Sequence, residues 1–129
     1  MCYLAAMLLI HMSRPEECFI NFCNLVLTKL NGILYYFYTA NHEEILKVYK
    51  VFWRLCKEYT PLVYANLKEN EATCRMFLFE WIITLFSNSF ELETCAILWD
   101  QILFFGRSHI LRVAIGVCQV IEKKYKTRF

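Results

Sequence analysis

The residues of this sequence that could do chemistry are few and far apart. Glu80 lies inside the apolar run 76–86, Asp100 follows Trp99 in a stripe that is otherwise apolar, and Arg107 and Arg112 come next. A carboxylate in such surroundings needs a cationic partner or the edge of a groove, because an unpaired buried charge costs several kcal/mol, roughly. An ion pair between Asp100 and Arg112, tying the last two helices together, is therefore the expected arrangement, and its role is structural. An arginine left free there could instead stabilise the charge that builds up in phosphoryl transfer. The paired role is the stronger reading.

No other grouping has catalytic spacing. The chain has no Gly-rich phosphate loop, no G-x-S-x-G, no H-E-x-x-H and no Cys-His-Asn arrangement. Its seven cysteines stand at 2, 18, 23, 56, 74, 95 and 118, without C-x-x-C spacing and mostly at apolar helical positions. They read as reduced core thiols of a cytoplasmic protein. His11, His42 and His109 are too scattered for a ligand set and read as capping or surface groups. Neither a cofactor nor a metal is expected.

The elements that position these residues must be helices. Of 129 residues 58% are hydrophobic and 17% aromatic, enough for one core, while three glycines and two prolines are too few for the turns of a sheet protein. The expected fold is all-α, a single domain over 1–129 built as an orthogonal bundle of about six to seven helices. A net charge of +2 lacks the basic footprint that a phosphate backbone selects, which argues against nucleic acid as a partner. The opening MCYLAAMLLIHM is too short to span a bilayer, which takes about 20 residues, and no basic region precedes it. It reads as a helix interior to a larger domain.

Ser13 and Glu16 have the form of a capping box around Pro15. Phe19, Phe22, Cys23, Val26, Leu27 and Leu30 then make a wide stripe, which Asn31-Gly32 ends. The segment ILYYFYTANH has no clear period and is expected to be a connector lying on the core, with a strand or irregular packing both open. From His42, Ile45, Tyr49, Phe52, Cys56 and Tyr59 line one helix face, while Glu43, Lys47, Lys50, Arg54 and Lys57 line the other. Thr60-Pro61 breaks this helix and starts a short one, followed by a polar loop at 68–71. A helix over 73–86, apolar on all sides, is expected at the centre. Ser87-Asn88-Ser89 turns the chain into a helix with Leu92, Cys95, Ala96, Trp99, Ile102 and Leu103 inward, which ends at Gly106. In the last helix Ile110, Leu111, Ala114, Val117, Cys118 and Ile121 face inward, and Lys123, Lys124 and Lys126 complement the dipole at its end.

Several of these stretches carry a specific resemblance. Trp81-Ile82-Ile83-Thr84-Leu85-Phe86, Phe90-Glu91-Leu92-Glu93-Thr94, Ile97-Leu98-Trp99-Asp100, Gly106 and Leu111-Arg112-Val113-Ala114 occur in the order and spacing of the C-terminal part of a TBC domain. That family is the Rab GTPase-activating proteins, with the pattern W-F-L-T-L-F, F-P-L-E-T, I-W-D, a glycine and L-F-R-V-A-L. Residues 1–10 resemble the apolar helix that follows the family's Y-x-Q-G-M segment. Two departures stand out: Glu91 replaces the usual proline, and region 33–44 lacks the family's glycines.

The resemblance implies stimulation of GTP hydrolysis by small Rab GTPases in vesicle trafficking, at or near cytoplasmic membranes. It implies two finger residues, the arginine of I-x-x-D-x-x-R and the glutamine of Y-x-Q, and neither motif occurs here. Aligned on the family, the glutamine would fall just before Met1 and the arginine farther upstream, so the chain is expected to be non-catalytic alone. Met1, Cys2 and Tyr3 would lie nearest the active groove. Self-association through exposed apolar surface is expected as well. The alternatives are a non-catalytic helical module that binds a GTPase or another protein, and an α-solenoid of stacked helix pairs.

Overall fold

A computed structural model describes residues 1–27 and 32–128, and among these every regular element is a helix. In chain order they are α1 (Cys2–His11), α2 (Pro15–Leu27), α3 (Ile33–Tyr38), α4 (His42–Tyr59), α5 (Pro61–Glu69), α6 (Cys74–Ile83), α7 (Leu92–Phe105) and α8 (Ser108–Arg128). The protein is all-α as expected, with one helix more than the sequence suggests. The addition is α3, formed by the aromatic stretch read as a connector.

Local chemistry explains most boundaries. The Asn41 side chain accepts a hydrogen bond from the Glu44 amide at 3.3 Å and so caps α4, whose first turn carries Glu43 and Glu44 and whose last turn carries Lys57. Thr60 ends α4, its amide and its hydroxyl both donating to the Cys56 carbonyl, and Pro61 opens α5. The helix start expected at Ser13 falls one residue later. Pro15 opens α2 and the Cys18 amide bonds to the Arg14 carbonyl, which puts the capping position on Arg14. The Leu30 and Asn31 positions of the expected α2 stripe and its end lie outside the described residues.

Leu4, Phe52, Leu78, Ile82, Leu85 and Phe86 are fully enclosed at the centre of the core. The helix of greatest reach is α8, which packs against α4, α5, α6 and α7, while α3 packs against α2, α4 and α6. Neighbours this distant in sequence do not occur in a solenoid, where each repeat touches only the adjacent ones. Helix α6 is less central than its composition suggests. Cys74, Leu78 and Ile82 are buried, but Arg75 and Glu80 face water and Met76 is 72% exposed, so one side remains open. In α2 the buried positions are Cys18, Leu25 and Val26, one step around from the expected stripe, which leaves Phe19 and Leu27 exposed.

Burial also fixes the acid–base character of a core thiol. Removal from water pushes the Cys74 thiol up to about 12, against a weaker opposing effect of Lys68. A raised value means that the neutral thiol belongs to the folded state. Its contribution is complete below the ordinary thiol range near 9 and is lost as pH rises from there toward 12. Stability should therefore fall by up to about 1.4 kcal/mol per pH unit per such thiol in that window. Thermal melts from neutral to strongly alkaline pH should show a drop that is shallower in Cys74→Ala; equal slopes in the two proteins would contradict this.

Candidate functional site

The densest polar organisation surrounds the corner between α6 and α7. Helix α6 stops at Ile83, three residues before the sequence suggests, through a Schellman turn. The Phe86 amide donates to the Trp81 carbonyl at 2.8 Å and the Leu85 amide to the Ile82 carbonyl at 3.1 Å. Such a turn requires a left-handed residue, usually glycine, yet here Leu85 and Phe86 adopt φ of 46° and 65°. Each such non-glycine residue costs of order 1 kcal/mol, offset here by complete burial of both side chains. The hydrophobic contact typical of the turn is Phe86 on Trp81, ring centroids 5.8 Å apart.

The free carbonyls at this helix end are all accounted for. Thr84 Oγ1 donates to the Glu80 carbonyl at 2.8 Å, and the Tyr38 hydroxyl on α3 donates to the Ile83 carbonyl. Outside the turn, Glu80 accepts from the Asn88 side-chain amide, so the carboxylate that interrupts the apolar run braces the corner from the solvent side. From α7, Trp99 Nε1 donates to the Leu85 carbonyl at 3.0 Å, both groups being buried. The Cys95 thiol donates to the Phe86 carbonyl at 3.6 Å and to the Phe90 carbonyl at 3.3 Å. Cys95 and Trp99 thus latch α7 onto the turn that precedes it.

Asp100 and Arg112 are both exposed, so the premise of a carboxylate in dry surroundings fails. The ion pairs among the described residues are Arg14–Glu17, Lys47–Glu43, Lys47–Glu44 and Lys126–Glu122, and none joins Asp100 to Arg112 within 4.0 Å. Met1, Cys2 and Tyr3 are exposed where α1 begins, with the Met1 carbonyl accepting from the Ala5 amide. His11 Nδ1 lies 2.8 Å from the Met7 carbonyl, His42 is an exposed first residue of α4, and His109 Nε2 lies 3.2 Å from Gln101 Oε1.

A second polar cluster sits in the core where α4, α5 and α8 meet, and the sequence gives little sign of it. Glu122 on α8 is buried; its Oε1 lies 3.0 Å from Lys126 Nζ and its Oε2 accepts from the Val63 amide at 3.5 Å, in the first turn of α5. A carboxylate thus meets a free amide at the positive end of α5. One turn away along α8 is Cys118, against Cys56, which touches the Thr60 hydroxyl at 3.3 Å. The neighbouring Cys118 thiol, helped by the Thr60 hydroxyl, holds Cys56 below the ordinary thiol range, while the same contact and burial push Cys118 upward. Both thiols are shut off from solvent, and the cluster joins three helices. The sequence signal for Glu122 is only its place one turn after Cys118 on the buried stripe.

The geometry is that of a scaffold: at the corner and at the start of α5 buried polar groups satisfy helix ends. The comparisons agree on what scaffold it is. The chain matches the Rab-GTPase-TBC domain family over residues 1–126. It is 28% identical to TBC1 domain family member 14 of Rattus norvegicus over 122 residues, covering 95% of this chain and 17% of that protein. It is equally similar to TBC1 domain family member 12 of Xenopus tropicalis, with the same coverage, and 26% identical to Drainin of Dictyostelium discoideum over 91% of this chain and 26% of that protein. The chain thus spans about a sixth of the length of the first of these relatives, 17%. No solved structure matches it. Among the described residues no helix is long and apolar enough to cross a membrane. With eight helices among the described residues, a W-I-I-T-L-F corner latched by Trp99 and a family match over nearly its whole length, the chain belongs to the Rab-GTPase-TBC domain family.

Proposed function

We propose that this chain is the supporting portion of a Rab GTPase activator, acting within an intact domain at cytoplasmic trafficking membranes and supplying no catalytic side chain itself. The observation that carries the proposal is the pairing of a family match over residues 1–126 with the absence of I-x-x-D-x-x-R and Y-x-Q from the sequence. Electrostatic stabilisation of the transferring phosphoryl group is the larger part of such catalysis, and it requires a charged group placed at the developing charge. Arg112 is a poor substitute, because it projects from the second turn of the scaffold helix α8 rather than from a motif of that kind. The role left to the chain is to hold the domain's shape, with Met1 to Tyr3 facing the groove in which the GTPase sits.

The test is phosphate release from a panel of GTP-loaded Rab proteins with the chain in excess. The expected result is a rate within tenfold of the intrinsic one for every Rab. Tenfold or greater stimulation of any of them, about 1.4 kcal/mol of barrier, would overturn the proposal.

A further inference from the structure

Two surface grooves flank α8, and they meet. One, of about 600 Å³, lies between α7 and α8 on a floor that includes Phe90, Leu98, Val117 and Val120. The other, of about 570 Å³, lies between α4 and α8 and is lined by Val51, Leu55 and Ile115 among others. Arg112 and Gly116 line both, so the two form one trough that passes over α8 at Gly116.

Gly116 has no reason within this chain to be glycine. It sits mid-helix in the 21-residue α8, without a positive φ, where glycine costs about 1 kcal/mol relative to alanine. A Cβ built there meets nothing within 4 Å. Open space over a bare stretch of helix backbone is what a second backbone needs for close approach. The trough is also one-sided in charge: Arg112 and Lys124 border it and no Asp or Glu lines either groove. Neither Arg112 nor Lys124 has an ion-pair partner within 4.0 Å among the described residues.

We propose that this trough is a docking site for an acidic amphipathic helix of another protein, which crosses α8 with its backbone over Gly116, sets apolar side chains into the two grooves and presents carboxylates to Arg112 and Lys124. Separate concave grooves of this size take side-chain anchors at helical spacing. A flat bilayer surface would leave them unfilled. The surface is independent of the GTPase-activator reading, since it uses none of the residues assigned to the Rab-facing groove.

The probe is a hydrocarbon-stapled helical peptide of about 16 residues, some 24 Å long, with alanine at the crossing point, leucines on either side and glutamates along its edges. A twin carries lysine for glutamate. Measured by fluorescence anisotropy against the 129-residue chain, the glutamate peptide should bind about tenfold or more tighter than the lysine twin. Gly116→Leu should weaken it about tenfold by filling the trough, with a helical circular-dichroism spectrum and an unchanged or higher Tm. Arg112→Glu, at an exposed position, should reverse the preference between the peptides and decides the matter should Gly116→Leu fail to fold. Equal affinity for the two peptides, no loss in Gly116→Leu despite a native spectrum, or capture of the chain by phosphatidylserine vesicles that the glutamate peptide fails to displace would each overturn the proposal.

Discussion

Trp99→Ala should unfold this protein at physiological temperature or come close to doing so. Trp99 is 5% exposed, and truncating a buried aromatic to alanine costs about 3–5 kcal/mol through lost transfer energy and the cavity left behind. A second loss adds to it, because the Leu85 carbonyl, fully buried in a left-handed turn, loses the indole N–H that satisfies it. An orphaned buried acceptor costs roughly 1–3 kcal/mol. The sum, about 4–8 kcal/mol, matches the lower half of the typical total of about 5–15 kcal/mol, where this small domain belongs. Trp99→Phe separates the two effects, since most of the ring volume stays and the donor goes. Chemical denaturation should place Trp99→Phe between the wild type and Trp99→Ala, by an amount near the orphaned-acceptor cost. Equal stability of Trp99→Phe and wild type would mean that the latch on the corner is packing alone.

Phe52→Ala is expected to rank next, at about 3–5 kcal/mol. Phe52 has no exposed surface, and its ring lies 5.7 Å from both Trp53 and Phe77 in edge-to-face geometry. From Phe77 the series continues to Trp81 at 5.3 Å, on to Phe86 at 5.8 Å and to Phe90 at 6.3 Å. It connects α4 with α6 and the corner. Such pairs contribute about 0.5–1.5 kcal/mol beyond the area they bury. Phe52→Leu, which keeps apolar volume but ends the edge-to-face contacts, should cost clearly less than alanine. Urea titrations of both variants give the comparison, and a Phe52→Ala loss below about 1 kcal/mol would place the core elsewhere.

Parts of this architecture can be read from the amino acids and parts cannot, for identifiable reasons. Helix α4 is legible because Ile45, Phe52 and Cys56 keep helical spacing against a run of lysines and glutamates, and a polar residue stands before it. Helix α3 is not, since six consecutive apolar and aromatic residues, Ile33 to Tyr38, have no polar face to give the period away. The end of α6 at Ile83 is hidden by the absence of glycine: Leu85 takes the left-handed conformation that composition would forbid, and burial in the tertiary structure outweighs the local preference.

The dry setting assumed for Asp100 shows the opposite error, since Asp100 is exposed. Apolar neighbours in sequence suggested a dry site, yet α7 leaves Ile97, Leu103, Phe104 and Phe105 exposed, so an apolar stripe there does not imply enclosure. The one carboxylate enclosed among the described residues, Glu122, sits in the polar run Glu-Lys-Lys-Tyr-Lys, where nothing in composition marks it. Family identity was more legible than any single contact, since it rests on the order of several motifs at once.

The central claim, that this chain holds a GTPase activator's shape without contributing to its transition state, is tested most directly by aluminium fluoride. Added to a GDP-bound Rab it mimics the transferring phosphoryl group, and a protein that stabilises this transition state binds such a mimic about a hundredfold or more tighter than the ground state. Titration of the chain into GDP-bound Rab with and without aluminium fluoride should give the same affinity in both conditions. A complex that forms only when the fluoride is present would contradict the claim and show that a residue of this chain reaches the reacting phosphate.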